Sequence, residues 1–195
     1  MPRIHTPRLV LIPATGATLR SELEGNAAFA RALGAQVPDE WPPELYDESA
    51  IRWCIAALER EPAFADWGMH YVAQPVESDK DLRVIGGGGF KGPPDAAGLV
   101  EIGYAILPSH RRRGYAREAV DGMLAWAFAD ARVTRVIAHT LTELVPSIGV
   151  LRSAGFTFTG PGDDPTEPDA IRYEISRDAY VATKDTRAAA RFVIG

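Results

Sequence analysis

One junction limits what this chain can fold into more than any other segment. An alternating apolar stretch, Leu99 to Leu107, runs through Pro108-Ser-His-Arg111-Arg112-Arg113-Gly114-Tyr115-Ala116 into a helical pattern that continues to about Ala129. In that pattern Ala116, Ala119, Val120, Met123, Leu124 and Ala127 recur at i, i+3, i+4 and i+7 spacing, so one stripe faces a core. A strand therefore hands over to a helix through a basic, glycine-containing loop. The first helical turn has amides without intrahelical acceptors, and the helix dipole adds partial positive charge there. A loop that gathers those donors around an anion makes a phosphate site. Gly114 permits close backbone approach because it has no Cβ, and the arginines supply forked, charge-assisted hydrogen bonds.

The rest of the chain alternates in the same way. Leu9 to Ile12 reads as a strand, and Thr15 as the cap of a helix to about Leu23. A second helix covers about Asn26 to Leu33. Prolines then forbid regular structure from Val37 to Pro43, and a third helix runs from Asp47 to about Arg60. Met69 to Gln74 and Leu82 to Phe90 read as strands joined by a turn at Ser78-Asp79-Lys80. Gly86 to Gly89 lack the pattern of a nucleotide loop and predict a strand with close backbone approach. Beyond the central helix come a strand from Val133 to Leu141, a helix from Pro146 to Ala154 stopped by Gly155, and strands from Phe156 and from Ala170 to Ile175. The residues after about Arg177 read as a polar Ala/Arg-rich tail, partly helical at best. Consecutive strands followed by helix-strand alternation predict an α/β (α+β) fold, a mixed sheet with helices on its faces.

Composition narrows the function. A chain of 195 residues fits one domain with a sizeable core. With 21 Lys and Arg against 26 Asp and Glu, the net charge of −5 argues against a nucleic-acid footprint, and the arginine cluster suits one small polyanion. The single cysteine, Cys54, can form neither an internal disulfide nor a thiolate cage. The four histidines, His5, His70, His110 and His139, have no metal-ligand spacing, so no metal is expected. No secretory signal is visible and no run approaches the ~18 apolar residues of a membrane span, which leaves a cytoplasmic protein with no membrane partner.

The strand before the loop carries the candidate acid-base group. In Val100-Glu101-Ile102-Gly103-Tyr104-Ala105-Ile106, alternation puts Glu101, Gly103 and Ala105 on one face, an acid beside open room. A carboxylate in an apolar surround moves toward neutrality, where a general base works best. A glutamate on a half-solvated sheet is the plain structural alternative.

Together these residues resemble the GNAT acyl-CoA N-acetyltransferase superfamily, closest to its branch similar to the Rim-type ribosomal-protein N-acetyltransferases. Arg111-Arg-Arg-Gly114-Tyr-Ala116 matches the family's Arg/Gln-x-x-Gly-x-Gly/Ala loop. It follows Glu101-Ile-Gly-Tyr104 and continues into Arg117-Glu118-Ala119. The opening Thr6-Pro7-Arg8-Leu9-Val10-Leu11 and the late Ser147-Ile-Gly-Val-Leu151-Arg-Ser-Ala-Gly155-Phe156 are also similar to family signatures. The resemblance spans about residues 6 to 176, which makes that span the N-acetyltransferase domain and leaves 177–195 as the C-terminal tail.

The resemblance implies a twisted, mostly antiparallel sheet whose central strands splay apart around acetyl-CoA as cosubstrate. It implies that backbone near Ile106 and Leu107 binds the thioester and pantetheine, and that Arg111, Arg112, Arg113, Gly114, Tyr115 and Ala116 hold the pyrophosphate. Glu101 is then the base for a primary-amine acceptor. The family's usual asparagine and tyrosine of the second signature are Leu144 and Leu151 here, so Ser147 or a water is left to serve as acid. Trp41 and Tyr46, in a segment rich in rigid aromatic surface, are candidates for the acceptor wall, with plain core packing as their other reading. A monomer or homodimer is expected. Two rivals stay open: a non-catalytic acyl-CoA sensor, and a phosphate-binding protein of another fold.

Overall fold

The computed structural model describes residues 3–76, 81–162 and 168–192, with side chains described to residue 184. The expected turn at Ser78-Asp79-Lys80 lies outside the described residues. Contacts divide the chain into two compact units, residues 1–93 with 102–123 and residues 94–101 with 124–195. Among the described residues no helix is long and apolar enough to cross a membrane.

The first unit is built on strands β1 (Ile4–His5), β2 (Val10–Pro13), β3 (Met69–Pro75), β4 (Leu82–Phe90) and the second half of β5 (Leu99–Ile106), paired antiparallel in that order. Helices α1 (Gly16–Glu24), α2 (Asn26–Leu33), α3 (Glu48–Arg60) and the short α4 (Phe64–Trp67) belong to it. Their starts follow the local chemistry. Thr15 accepts from the Thr18 amide while Thr18 accepts from the Thr15 amide, a reciprocal cap, and Asp47 caps α3 through the Ala50 amide. Leu19, Phe29, Tyr71, Val84 and Leu107 are fully buried in one cluster. Burying each such side chain contributes roughly 1.5–3 kcal/mol. Gly86 to Gly89 sit within β4, as the sequence predicts. A Cβ on Gly86 would strike the Ala105 carbonyl and one on Gly89 the Gly68 carbonyl, so backbone on both flanks approaches too closely for any side chain.

The second unit pairs the first half of β5 with β6 (Arg135–Leu141), then β8 (Ala170–Ser176) and β7 (Thr157–Pro161). The β5–β6 pairing is parallel and runs over Leu99–Glu101 with Arg135–Ile137; the other pairings are antiparallel. Strand β5 thus changes partner between Glu101 and Ile102, and the sheet order reads β1-β2-β3-β4-β5-β6-β8-β7. Helix α5 (Tyr115–Ala129) passes from one unit to the other, and α6 (Val145–Ala154) ends at Gly155 as expected.

The polar tail is the main correction. Arg177–Phe192 is a helix, α7. A few specific contacts anchor it. The Arg177 guanidinium donates to the carbonyls of Phe128 at 2.7 Å, Asp130 at 2.6 Å and Val133 at 3.0 Å, so a cation satisfies acceptors at the end of α5. Buried Tyr180 stacks on Phe128 with centroids 4.8 Å apart. Strand β1 and helix α4, of two and four residues, were too short for any periodicity to reveal.

Candidate functional site

The basic loop starts where β5 ends. Leu107 donates its amide to the Ile85 carbonyl at 2.9 Å, so alternation turns the main-chain groups of residues 102, 104 and 106 away from β4. Ile106 and Leu107 side chains are buried; their contribution to any ligand is main chain. A single 3₁₀ turn over Pro108–His110 follows. Ser109 is hydrogen-bonded to Glu40, and His110 lies 3.9 Å from the same carboxylate. Burial and the positive charge of Arg113 outweigh Glu40 and hold His110 below its ordinary value.

The three arginines do different things. Arg111 is engaged on both sides, donating through Nε to the Ile106 carbonyl at 2.9 Å and pairing with Glu44 at 2.8 Å. It ties the strand end to the loop while its side chain stays exposed. Arg112 is exposed and takes φ +62°, a left-handed conformation that costs an L residue about 1–2 kcal/mol. Arg113 is exposed, and its carbonyl accepts from Arg8. Gly114 has φ +81°, which explains the glycine; a Cβ there would meet only the tip of Arg8, at 3.4 Å. Glu118 is the first intrahelical donor, to Gly114, so the Tyr115 and Ala116 amides precede the helix's own ladder. Two positive-φ residues beside free helix-start amides make a concave run of donors suited to a phosphate.

A clamp outside the loop holds this shape, and sequence reasoning did not assign it. Glu118 accepts from Thr6 Oγ1 at 2.6 Å, from the Arg8 amide at 2.7 Å and from Arg8 Nε at 2.7 Å. Arg8 Nη1 reaches the Arg113 carbonyl at 3.1 Å, and its guanidinium lies 4.8 Å from the Tyr115 ring centroid. Burial pushes the Glu118 carboxyl up, but the Thr6 and Arg8 hydrogen bonds and the Arg8 charge together bring it below the usual range.

Trp41 and Tyr46 are brought together, around a carboxylate. Trp41 Nε1 donates to Glu22 at 2.9 Å, Tyr46 OH at 3.0 Å and Tyr71 OH at 2.8 Å. Burial raises Glu22 above its ordinary value despite these three donors. Trp41 is buried against Phe29 and Tyr71, so its ring belongs to the core.

In the second unit Glu101 does not stand in an apolar surround. Its carboxylate is 2.9 Å from His139 Nδ1 on β6, with the two side chains 20% and 12% exposed. Sequence reasoning left His139 among scattered histidines. Only the β5–β6 adjacency puts it on the face of Glu101. Ser147 lies partly buried in the first turn of α6, whose cap position, Leu144, offers no side-chain hydrogen bond. Leu151, at the tyrosine position of the family, is fully buried.

Comparison with known proteins bears on the chain as a whole. The family model described as the acetyltransferase (GNAT) domain matches residues 8–157. The chain is 31% identical over 128 residues to uncharacterized N-acetyltransferase YjdG of Bacillus subtilis (strain 168), covering 65% of this chain and 72% of that one. It is 30% identical over 163 residues to uncharacterized N-acetyltransferase YoaA of the same organism, covering 82% and 85%. The fold is similar to that of the solved RimL ribosomal L7/L12 alpha-N-protein acetyltransferase in complex with coenzyme A. There the TM-score is 0.62 at 16% identity, over 91% of this chain and 99% of the other.

Proposed function

This chain belongs to the GNAT acetyltransferase family, and from that premise we propose that it moves the acetyl group of acetyl-CoA directly onto a primary amine. The observation that carries the reading is the loop Arg111–Ala116. Positive φ at Arg112 and Gly114, exposed arginines and the Tyr115 and Ala116 amides form a run of donors and positive charge of the kind a pyrophosphate takes. The residues present therefore fit the cosubstrate. When bound, acetyl-CoA supplies an activated acyl group on a thiol leaving group.

The chain's own residues have separable tasks. Arg112, Arg113 and the helix-start amides bind the pyrophosphate, and Arg111 holds the end of β5 in place. The Ile106 amide, turned away from β4, is a donor for the thioester oxygen, where charge develops during attack. An alkyl ammonium has a pKa of about 10.4 and must lose a proton before attacking. Proton removal is centred on Glu101 and the ring it holds. No tyrosine is available at position 151, so Ser147 or solvent protonates the thiolate. Trp41 and Tyr46 shape the acceptor side through the Glu22 cluster, without a reactive role.

Acetyl-CoA should raise the melting temperature, since a ligand specific for the folded state stabilises it by RT ln(1 + [L]/Kd). Gly114→Trp fills the cradle and should abolish that rise. Arg112→Ala, at an exposed position, should weaken it without lowering the melting temperature of the free protein. Normal binding by both variants would remove the loop from the site.

A further inference from the structure

The Glu101–His139 pair defines the ring's tautomer. An ionised carboxylate can only accept, so the 2.9 Å contact to Nδ1 requires the proton on Nδ1. The neutral ring then carries its lone pair on Nε2. That atom is buried and has no hydrogen-bond partner among the described residues. A buried acceptor left without a donor is costly, and a catalytic role is one of the reasons a fold keeps one; here the ring also lies 2.9 Å from a carboxylate that orients it. Arg172, opposite His139 on β8, is engaged by Glu174 at 2.9 Å, and Arg135 lies 3.6 Å from the same carboxylate. Among the described residues these positive charges are paired with Glu174, and Glu101 is the ring's direct partner.

We infer that His139 is the proton acceptor of the reaction, with Nε2 taking the ammonium proton through one water, and that Glu101 is its positioning residue. This rests on the acetyl-transfer reading above. The ammonium N–H bond breaks and its electron pair stays on the amine nitrogen, which attacks the thioester. An Nε2–H bond forms, and Glu101 stabilises the imidazolium until the proton passes to solvent. The arrangement follows the logic of a base oriented by a partly buried carboxylate.

His139→Asn separates the two roles, since the amide of asparagine can still donate to Glu101 from near the Nδ1 position but has no basic nitrogen. Amine-dependent coenzyme A release should fall 10²–10⁴-fold near neutral pH. The acetyl-CoA-induced rise in melting temperature should be kept, and the deficit should shrink as pH approaches the ammonium pKa. Glu101→Gln added to His139→Asn should cost little more, because residues that act as a unit are not additive. Ring ¹⁵N shifts of the parent should report a proton on Nδ1 and a bare Nε2; the opposite tautomer overturns the inference. A parent that transfers acetyl while His139→Asn keeps pace within twofold overturns it alone. A parent with no amine-dependent release overturns the acetyl-transfer reading itself.

Discussion

Arg8 and Glu118 set the loop's geometry from outside it. Three donors converge on one carboxylate, and the guanidinium that supplies one of them also holds the Arg113 carbonyl. The Glu118 carboxyl is depressed in the folded protein, so its stabilising increment is complete above the unfolded value near 4.3 and is lost as pH falls through the folded value. Urea unfolding of the parent and Glu118→Gln should therefore differ most above about pH 5 and converge in acid. A pH-independent difference would show that shape, and not ionisation, is what Glu118 contributes. The strand–loop–helix junction was readable locally, because the apolar alternation to Leu107 and the helical spacing after Gly114 are both written in adjacent residues. The clamp was not, since Thr6 and Glu118 are 112 residues apart. His139 was hidden for a related reason. Its value depends on Glu101 across a strand pairing that alternation within either strand cannot reveal.

Among elements, the aromatic cluster around Glu22 shows how a polar group fixes an irregular segment. The stretch around Trp41 has prolines and no ladder of its own, and its ring is held by a partly buried carboxylate shared with Tyr46 and Tyr71. Glu22→Ala would leave three donors unmatched and should cost at least about 2 kcal/mol by urea unfolding. Glu22→Gln should cost far less near neutral pH, because burial already disfavours the charged form. Equal losses would place the contribution in charge rather than in hydrogen bonding. Burial pushes the nearby Cys54 thiol up to about 11, with the Glu22 charge adding to it, so this cysteine is a packed hydrophobe and not a nucleophile. Strands and long helices were legible from their periods, and the cap at Thr15 from residue type. Helix α7 was not, because its composition is polar and the contacts that anchor it, Arg177 and Tyr180 at the end of α5, are not announced by residue type.

For the whole molecule, family and fold class follow from motifs kept in the right sequence order, while the chemistry depends on groups that come from different strands. The family match and the cradle at the start of α5 support acetyl transfer; what separates an enzyme from an acyl-CoA-binding module is whether the amine matters. The most direct measurement incubates the protein with acetyl-CoA and a panel of primary amines, namely a peptide with a free N-terminus, a polyamine and amino-acid analogues. Released thiol and acetylated product are followed together. Acetyl transfer predicts thiol release that requires at least one of these amines, with one acetylated amine formed per thiol. Acetyl-CoA that binds, yet releases thiol at the same rate with and without every amine, would contradict it.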